Sequence, residues 1–362
     1  MEKNIYNWEQ LFNTTLKMLP SSELVRNDGN LFTFSPIQDE IRHFENSTKG
    51  IFYKEQSCFR HVYPANLINP LSTPFQKLIS FFSFEETDYT KFISTIMNGL
   101  LNEKINLNDI YLIVPDIECI QENLTLITNN LIKINPNRLK CKLPLNGNHY
   151  YIKLCVKYND GLVTLMNFVL VDYKSGSNLS KIDSVLFPLR LDMIKEQVKS
   201  IFETSDYQKR YNSIYLITNN HELTHFIMGQ LLSISNLLLE VQKLSHHKHG
   251  YAIKKLAREF FLECDYNNLS VTLILSCFPE VEEILESMYL KYSATMKNTI
   301  HKIRKSKKKI DAKYAHETLG IPYKLYQLEI DPTYKIDDLP NNFAYYRDDT
   351  RNIHTNPLES YK

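Results

Sequence analysis

The stretch from residue 150 to residue 190 constrains the fold more than any other part of this 362-residue chain. Ile152, Leu154, Val156 and Tyr158 alternate with Lys153, Cys155 and Lys157, the period of two that belongs to a strand with one buried face. Asn159-Asp-Gly161 interrupts the pattern, and a second β-rich run from Leu162 to Val171 follows, the signature of a tight hairpin with a primed turn. Ile182 to Phe187 gives a further apolar run. Pro188 then stands where a first-turn proline is tolerated, and Leu191, Ile194, Val198 and Ile201 recur at helical spacing. Strands joined by hairpins, with helices set around them, predict an α+β fold on an antiparallel sheet and exclude a doubly wound parallel one.

Elsewhere the signals are shorter. A helix, a turn at Ser21 to Gly29 and a strand over Leu31 to Phe34 are expected near the start, and Ile110 to Val114, closed by Pro115, reads as a buried strand. Long helical periods take over from about residue 205, with stretches from His221 to Leu244, Tyr251 to Cys264 and Glu280 to about Ile310. In the second, Ile253, Leu256, Ala257 and Phe260 form the apolar stripe, and Lys254, Lys255 and Arg258 stand off it. The expected organisation is a sheet domain over 1–204, a helical domain over 205–328 and a polar tail over 329–362.

With 42 basic against 41 acidic residues, no global field draws nucleic acid to the chain, so any such partner must be held by a local patch. Only 9 glycines are present, and neither GxGxxG nor a Walker A string occurs, which argues against Gly-rich phosphate loops. The six cysteines show no CxxC spacing and read as core thiols in a reducing compartment. No signal-peptide pattern and no run near the ~18 apolar residues of a spanning helix is found, so a cytoplasmic chain without a membrane partner is expected.

Several strings, taken in order, resemble the N-terminal half of alanyl-tRNA synthetases. Ser21 to Thr33 is similar to that family's lead into motif 1, Gln56-Ser-Cys-Phe-Arg60 to the start of motif 2, and Phe82-Ser-Phe84 to its end. Met166-Asn-Phe-Val169 resembles the Trp-Asn-Ile-Val strand, and Asp183-Ser-Val-Leu-Phe-Pro-Leu-Arg190 has the spacing of motif 3. Gly250-Tyr-Ala-Ile-Lys-Lys255 and Glu317-Thr-Leu-Gly-Ile-Pro322 resemble two strings of the family's helical part. The shared order over roughly residues 20 to 325 carries the resemblance.

The resemblance implies a class II synthetase-type sheet flanked by helices, followed by a helical tRNA-recognition-like domain. It implies a ligase that uses ATP and Mg2+ to make an aminoacyl adenylate from alanine or another small amino acid, with transfer to a tRNA acceptor stem or another acceptor and no DNA partner. Arg60 would act on charge developing at the α-phosphate and Arg190 on the adenine and far phosphates. Asp183 would hold the α-ammonium, and Asn167 would line the amino-acid pocket. Lys254, Lys255, Arg258, His246 and Glu317 would face RNA, the last two standing where the family reads a wobble pair with asparagine and aspartate.

The chain departs from the family pattern at several places. His61-Val-Tyr-Pro64 stands where a lysine is expected, Gln76 or Lys77 where an acidic residue is, and Val185 and Phe187 replace both motif 3 glycines. Bulky side chains there occupy space that the family leaves for ATP. These departures support an alternative, a catalytically degenerate paralogue serving as an RNA- or protein-binding module. A third reading comes from His221-Glu-Leu-Thr-His225, an HExxH string that would make His221 and His225 zinc ligands of a metallopeptidase. No third ligand follows at the usual spacing, so no metal is assigned.

Overall fold

The computed structural model describes residues 8–27, 30–60, 69–241, 244–245, 248–306 and 310–336. His246, the His61 to Pro64 segment, Lys307 to Lys309 and the tail from residue 337 lie outside these described residues. The described residues divide into two compact units, one of those up to 60 together with 75–205, the other of 69–74 and those from 206 to 336.

The first unit is α+β, built on a nine-stranded sheet. Its strands are β1 (Lys17–Met18), β2 (Ile51–Phe59), β3 (Phe75–Asp88), β4 (Ile110–Pro115), β5 (Leu131–Ile134), β6 (Lys140–Cys141), β7 (His149–Tyr158), β8 (Gly161–Val171) and β9 (Leu179–Leu186). They run in the order β1-β2-β3-β9-β8-β7-β4-β5, with β6 beside β7.

The β7–β8 hairpin pairs antiparallel from Tyr150 opposite Leu170 to Tyr158 opposite Gly161. Its two turn residues are Asn159 and Asp160; Asn159 takes the positive φ of 50°, and Gly161 is already a strand residue. Asparagine tolerates this region because its short amide can bond locally.

The sheet is mixed, which corrects the expectation of an antiparallel one. Lys17 pairs parallel with Phe52 at one edge, and Leu112 pairs parallel with Leu131 at the other. The second case follows from the helix Glu118–Thr125, which crosses over between β4 and β5 and returns the chain in the same direction. Two further expectations fail locally. Leu31 to Phe34 contributes only the isolated bridge Val25 to Phe32. The helix after Pro188 ends at Lys195, because Gln197 enters the left-handed region at φ 56°, so Val198 and Ile201 lie beyond it.

Strand β3 is apolar on both faces. Phe81 meets Trp8 and Tyr53 on one side, while Phe82 and Phe84 pack with Phe44 and Phe52 on the other. Burial on both faces explains why Phe81-Phe82-Ser83-Phe84 shows no alternation.

One charge pair is built into this sheet. Lys54 Nζ lies 2.7 Å from Glu40 Oε1, with side chains 1% and 7% exposed, and also donates to Ser22 Oγ at 3.0 Å. The pair fastens the turn Pro36–Asp39 onto β2.

The second unit is helical. Asn219, left-handed at φ 46°, ends the helix Gln208–Thr218, and Asn220 caps the next, His221–Glu240, by accepting from Leu223 N at 3.0 Å. The helices Lys248–Tyr266 and Glu282–Lys305 follow, and Ile253, Leu256, Ala257 and Phe260 form the buried stripe of the first.

Because Lys54 and Glu40 are both desolvated, removing one strands the other. Lys54→Met is expected to destabilise the fold by about 3–5 kcal/mol in urea denaturation, and adding Glu40→Leu to recover most of that loss.

Candidate functional site

The sheet face carrying Phe82 and Phe84 also carries the residues that the sequence singles out. Tyr151, Val169 and Asp183 form one cross-strand row, and Lys153, Asn167 and Val185 form the next. Asp183 and Asn167 are therefore diagonal neighbours on adjacent strands, within side-chain reach of a common ligand.

Asp183 is 5% exposed, and its Oδ1 has no hydrogen-bond partner. Burial pushes its carboxyl up to about 7, against the opposing pull of the nearby Arg60 charge and the Ser184 backbone amide. Asn167 Oδ1 is likewise buried without a partner. Two acceptors aimed into one face without donors are uncommon, since most buried polar atoms are satisfied.

Arg60 stands one residue past β2, where its Nε donates to Phe34 O at 2.6 Å. Arg190 sits in the first turn of the helix Pro188–Lys195. Its Nη1 donates to Thr164 O at 2.9 Å, and its guanidinium lies 4.3 Å from the centre of the Phe187 ring. Burial lowers the Arg190 guanidinium to about 10, and the positive charge of Arg60 pulls in the same direction. Val185 and Phe187 are themselves buried, packed with Cys58 and Leu78.

The fold thus brings Arg60, Asp183, Asn167 and Arg190 onto one face. It adds Tyr151 and Cys141, which the sequence does not single out. Burial raises the Cys141 thiol to about 11 and pushes the Tyr151 hydroxyl higher than its ordinary value, and the Asp183 charge acts on both in the same direction. Tyr151 was accessible from the alternation of β7, since it shares the parity of Lys153.

The RNA-facing candidates belong to the helical unit. Lys254, Lys255 and Arg258 lie off the buried stripe of Lys248–Tyr266, and Glu317 is the last, exposed residue of the helix Ala312–Glu317. The HExxH histidines take part in a helix joint. Tyr211 Oη lies 2.6 Å from His221 Nδ1 and 3.3 Å from His225 Nε2, and Tyr215 stacks on His221 at 4.4 Å. Among the described residues, no group of three or more His, Cys, Asp or Glu side chains is arranged to hold a metal ion.

Comparison with known proteins finds no family model that matches this chain and no curated protein with significant similarity to it.

The raised Asp183 carboxyl has a thermodynamic consequence. Its ordinary value is 3.8 and its folded value about 7, so between these the native state holds a proton that the unfolded chain has released. Stability is therefore lost as pH rises through this window, by at most about 1.4 kcal/mol per pH unit. Asp183→Asn is expected to flatten this dependence in urea midpoints measured from pH 4 to pH 8, leaving the variant the more stable protein at pH 8.

Proposed function

We propose that the face around Asp183 binds a small amino acid through its ammonium group, in a protein of alanyl-tRNA synthetase-like design. The observation that carries this reading is the pair of buried acceptors without partners, Asp183 Oδ1 and Asn167 Oδ1. Each unsatisfied group costs roughly 1–3 kcal/mol, more if charged. An ammonium brings three donors and the one charge that lets a buried Asp183 ionise. Arg60, whose charge already acts on Asp183, supplies the countercharge for the ligand's carboxylate.

A second reading keeps the activation chemistry, with ATP and Mg2+ used to form an aminoacyl adenylate for transfer to tRNA or another acceptor. Arg60 and Arg190 on the same face as Asp183 favour it, since two guanidiniums could stabilise charge building on a phosphate. The binding reading ranks first because the Arg190 guanidinium is already engaged, lying over the Phe187 ring. In either reading Lys254, Lys255 and Arg258 are the cations offered to RNA phosphates.

Calorimetric titration with glycine, alanine and serine is expected to reveal binding by at least one of them and none by its N-acetyl derivative. Asp183→Asn should weaken that binding by about 10–100-fold. If the wild-type protein binds none of the three, the reading is lost. Pyrophosphate exchange into ATP, dependent on the bound amino acid and abolished by Arg60→Ala, would establish the second reading over the first.

A further inference from the structure

We infer that Ser80 selects for a second hydrogen-bonding group on the ligand, so that the amino acid held at Asp183 is one with a hydroxyl or amide on its side chain and not an aliphatic one. The inference deepens the proposed binding of an amino acid at this face and rests on that reading.

Ser80 shares the parity of Phe82 and Phe84 on β3 and so lies on the same face of the sheet. The rungs Ile79 to Leu186 and Ser83 to Ile182 keep one register, which sets Phe82 opposite Asp183 and Ser80 opposite Val185. Val185 has Asn167 as its neighbour on β8. Ser80 and Asp183 are therefore diagonal neighbours, just as Asp183 and Asn167 are.

Ser80 is fully buried, and its Oγ, like Asp183 Oδ1 and Asn167 Oδ1, has no hydrogen-bond partner. The side chain opposite it on β2, Lys54, directs its Nζ to Glu40 and Ser22. The three polar atoms stand on neighbouring strands along the line where two apolar clusters meet. Phe52, Phe82, Phe84 and Val169 belong to one cluster, and Cys58, Leu78, Val185 and Phe187 form the other. Asn167 is half-buried where Ser80 is enclosed, so the line deepens from β8 toward β3.

An ammonium placed between Asp183 and Asn167 satisfies both acceptors and leaves Ser80 as it was. Diagonal neighbours in a sheet stand roughly 7–8 Å apart at Cα, a gap that the ammonium and a short side-chain polar group of one amino acid bridge with a hydrogen bond at each end. The Ser80 hydroxyl both donates and accepts, so a ligand hydroxyl or amide suits it equally. A methyl in that place leaves it buried and unpaired, and sites built to hydrogen-bond a ligand group discriminate strongly against the analogue that lacks it.

Calorimetric titration of serine against α-aminobutyrate, and of homoserine against norvaline, tests this, because within each pair a hydroxyl replaces a methyl. In at least one pair the hydroxyl-bearing member is expected to bind the wild-type protein about 10-fold more tightly or better, and Ser80→Ala should bring that ratio to within about 2-fold. Thermal melting of Ser80→Ala is expected at or above the wild-type temperature, since the hydroxyl has no partner to lose. Ser80→Cys, close in size and a much weaker donor, should reduce the ratio as well and serves if the alanine variant fails to fold. Equal affinities within both pairs overturn the inference and leave ammonium binding at Asp183 standing, and a preference that survives both Ser80 variants overturns it too. Binding of none of the four amino acids rejects both readings.

Discussion

The ladder between β3 and β9 is the contact on which the rest of the sheet unit depends. Ile79 pairs with Leu186 and Ser83 with Ile182, and between these rungs the Ser184 hydroxyl donates to Phe81 O at 2.6 Å and accepts from Phe81 N at 3.2 Å. It joins residues about a hundred positions apart, so a large loop-closure entropy must be overcome before anything is gained. Two-sided burial of β3 offsets that cost, with Phe81 on one face and Phe82 and Phe84 on the other. Arg60 follows β2, which pairs with β3, and Asp183 lies on β9, so this ladder together with the β2–β3 pairing brings a cation and a carboxyl from distant segments onto one face.

Buried polarity is handled in two opposite ways on this sheet. Lys54 and Glu40 neutralise each other and Lys54 has a further hydrogen bond to Ser22 Oγ, which is how a folded interior ordinarily tolerates charge. Asp183 has no such arrangement; its Oδ1 is unsatisfied and its proton is retained to near neutral pH. A chain selected only for stability would replace it with an apolar residue. Places where a local rule is broken without a structural gain are where ligand sites are expected.

The hairpin was legible because alternation and an Asn-Asp-Gly interruption are local signals, and β4 because a short apolar run closed by proline is one too. The directions of β1 and β5 were not. Strands of two and four residues carry too little pattern to reveal whether a crossover precedes them. Val198 and Ile201 kept the helical period, yet the left-handed backbone at Gln197 ended the helix before them. His221 and His225 carry a metal-binding spacing, and the fold also places both beside the Tyr211 hydroxyl of the preceding helix, a contact that spacing within one helix cannot reveal. Of the residues on the Asp183 face, Arg60, Asp183, Asn167 and Arg190 could be named from ordered strings. Tyr151 could be reached from the alternation of β7, but Cys141 and the contact of Phe187 with Arg190 could not, because cross-strand register is a property of the whole sheet.

The segment preceding β2 closes that strand's outer edge in an irregular way. Lys17 and Met18 make two parallel rungs, Leu19 N donates to Tyr53 O at 2.9 Å, Ser21 Oγ to Glu55 O at 2.6 Å, and Phe59 N donates to Thr33 O at 2.8 Å. The carbonyls and amides of β2 are thus taken by a mixture of backbone and hydroxyl groups that is not itself a continuous strand. Such a clasp offers no straight row of hydrogen-bonding groups to a neighbouring molecule, so it terminates the sheet and gives polymerisation through this edge no template.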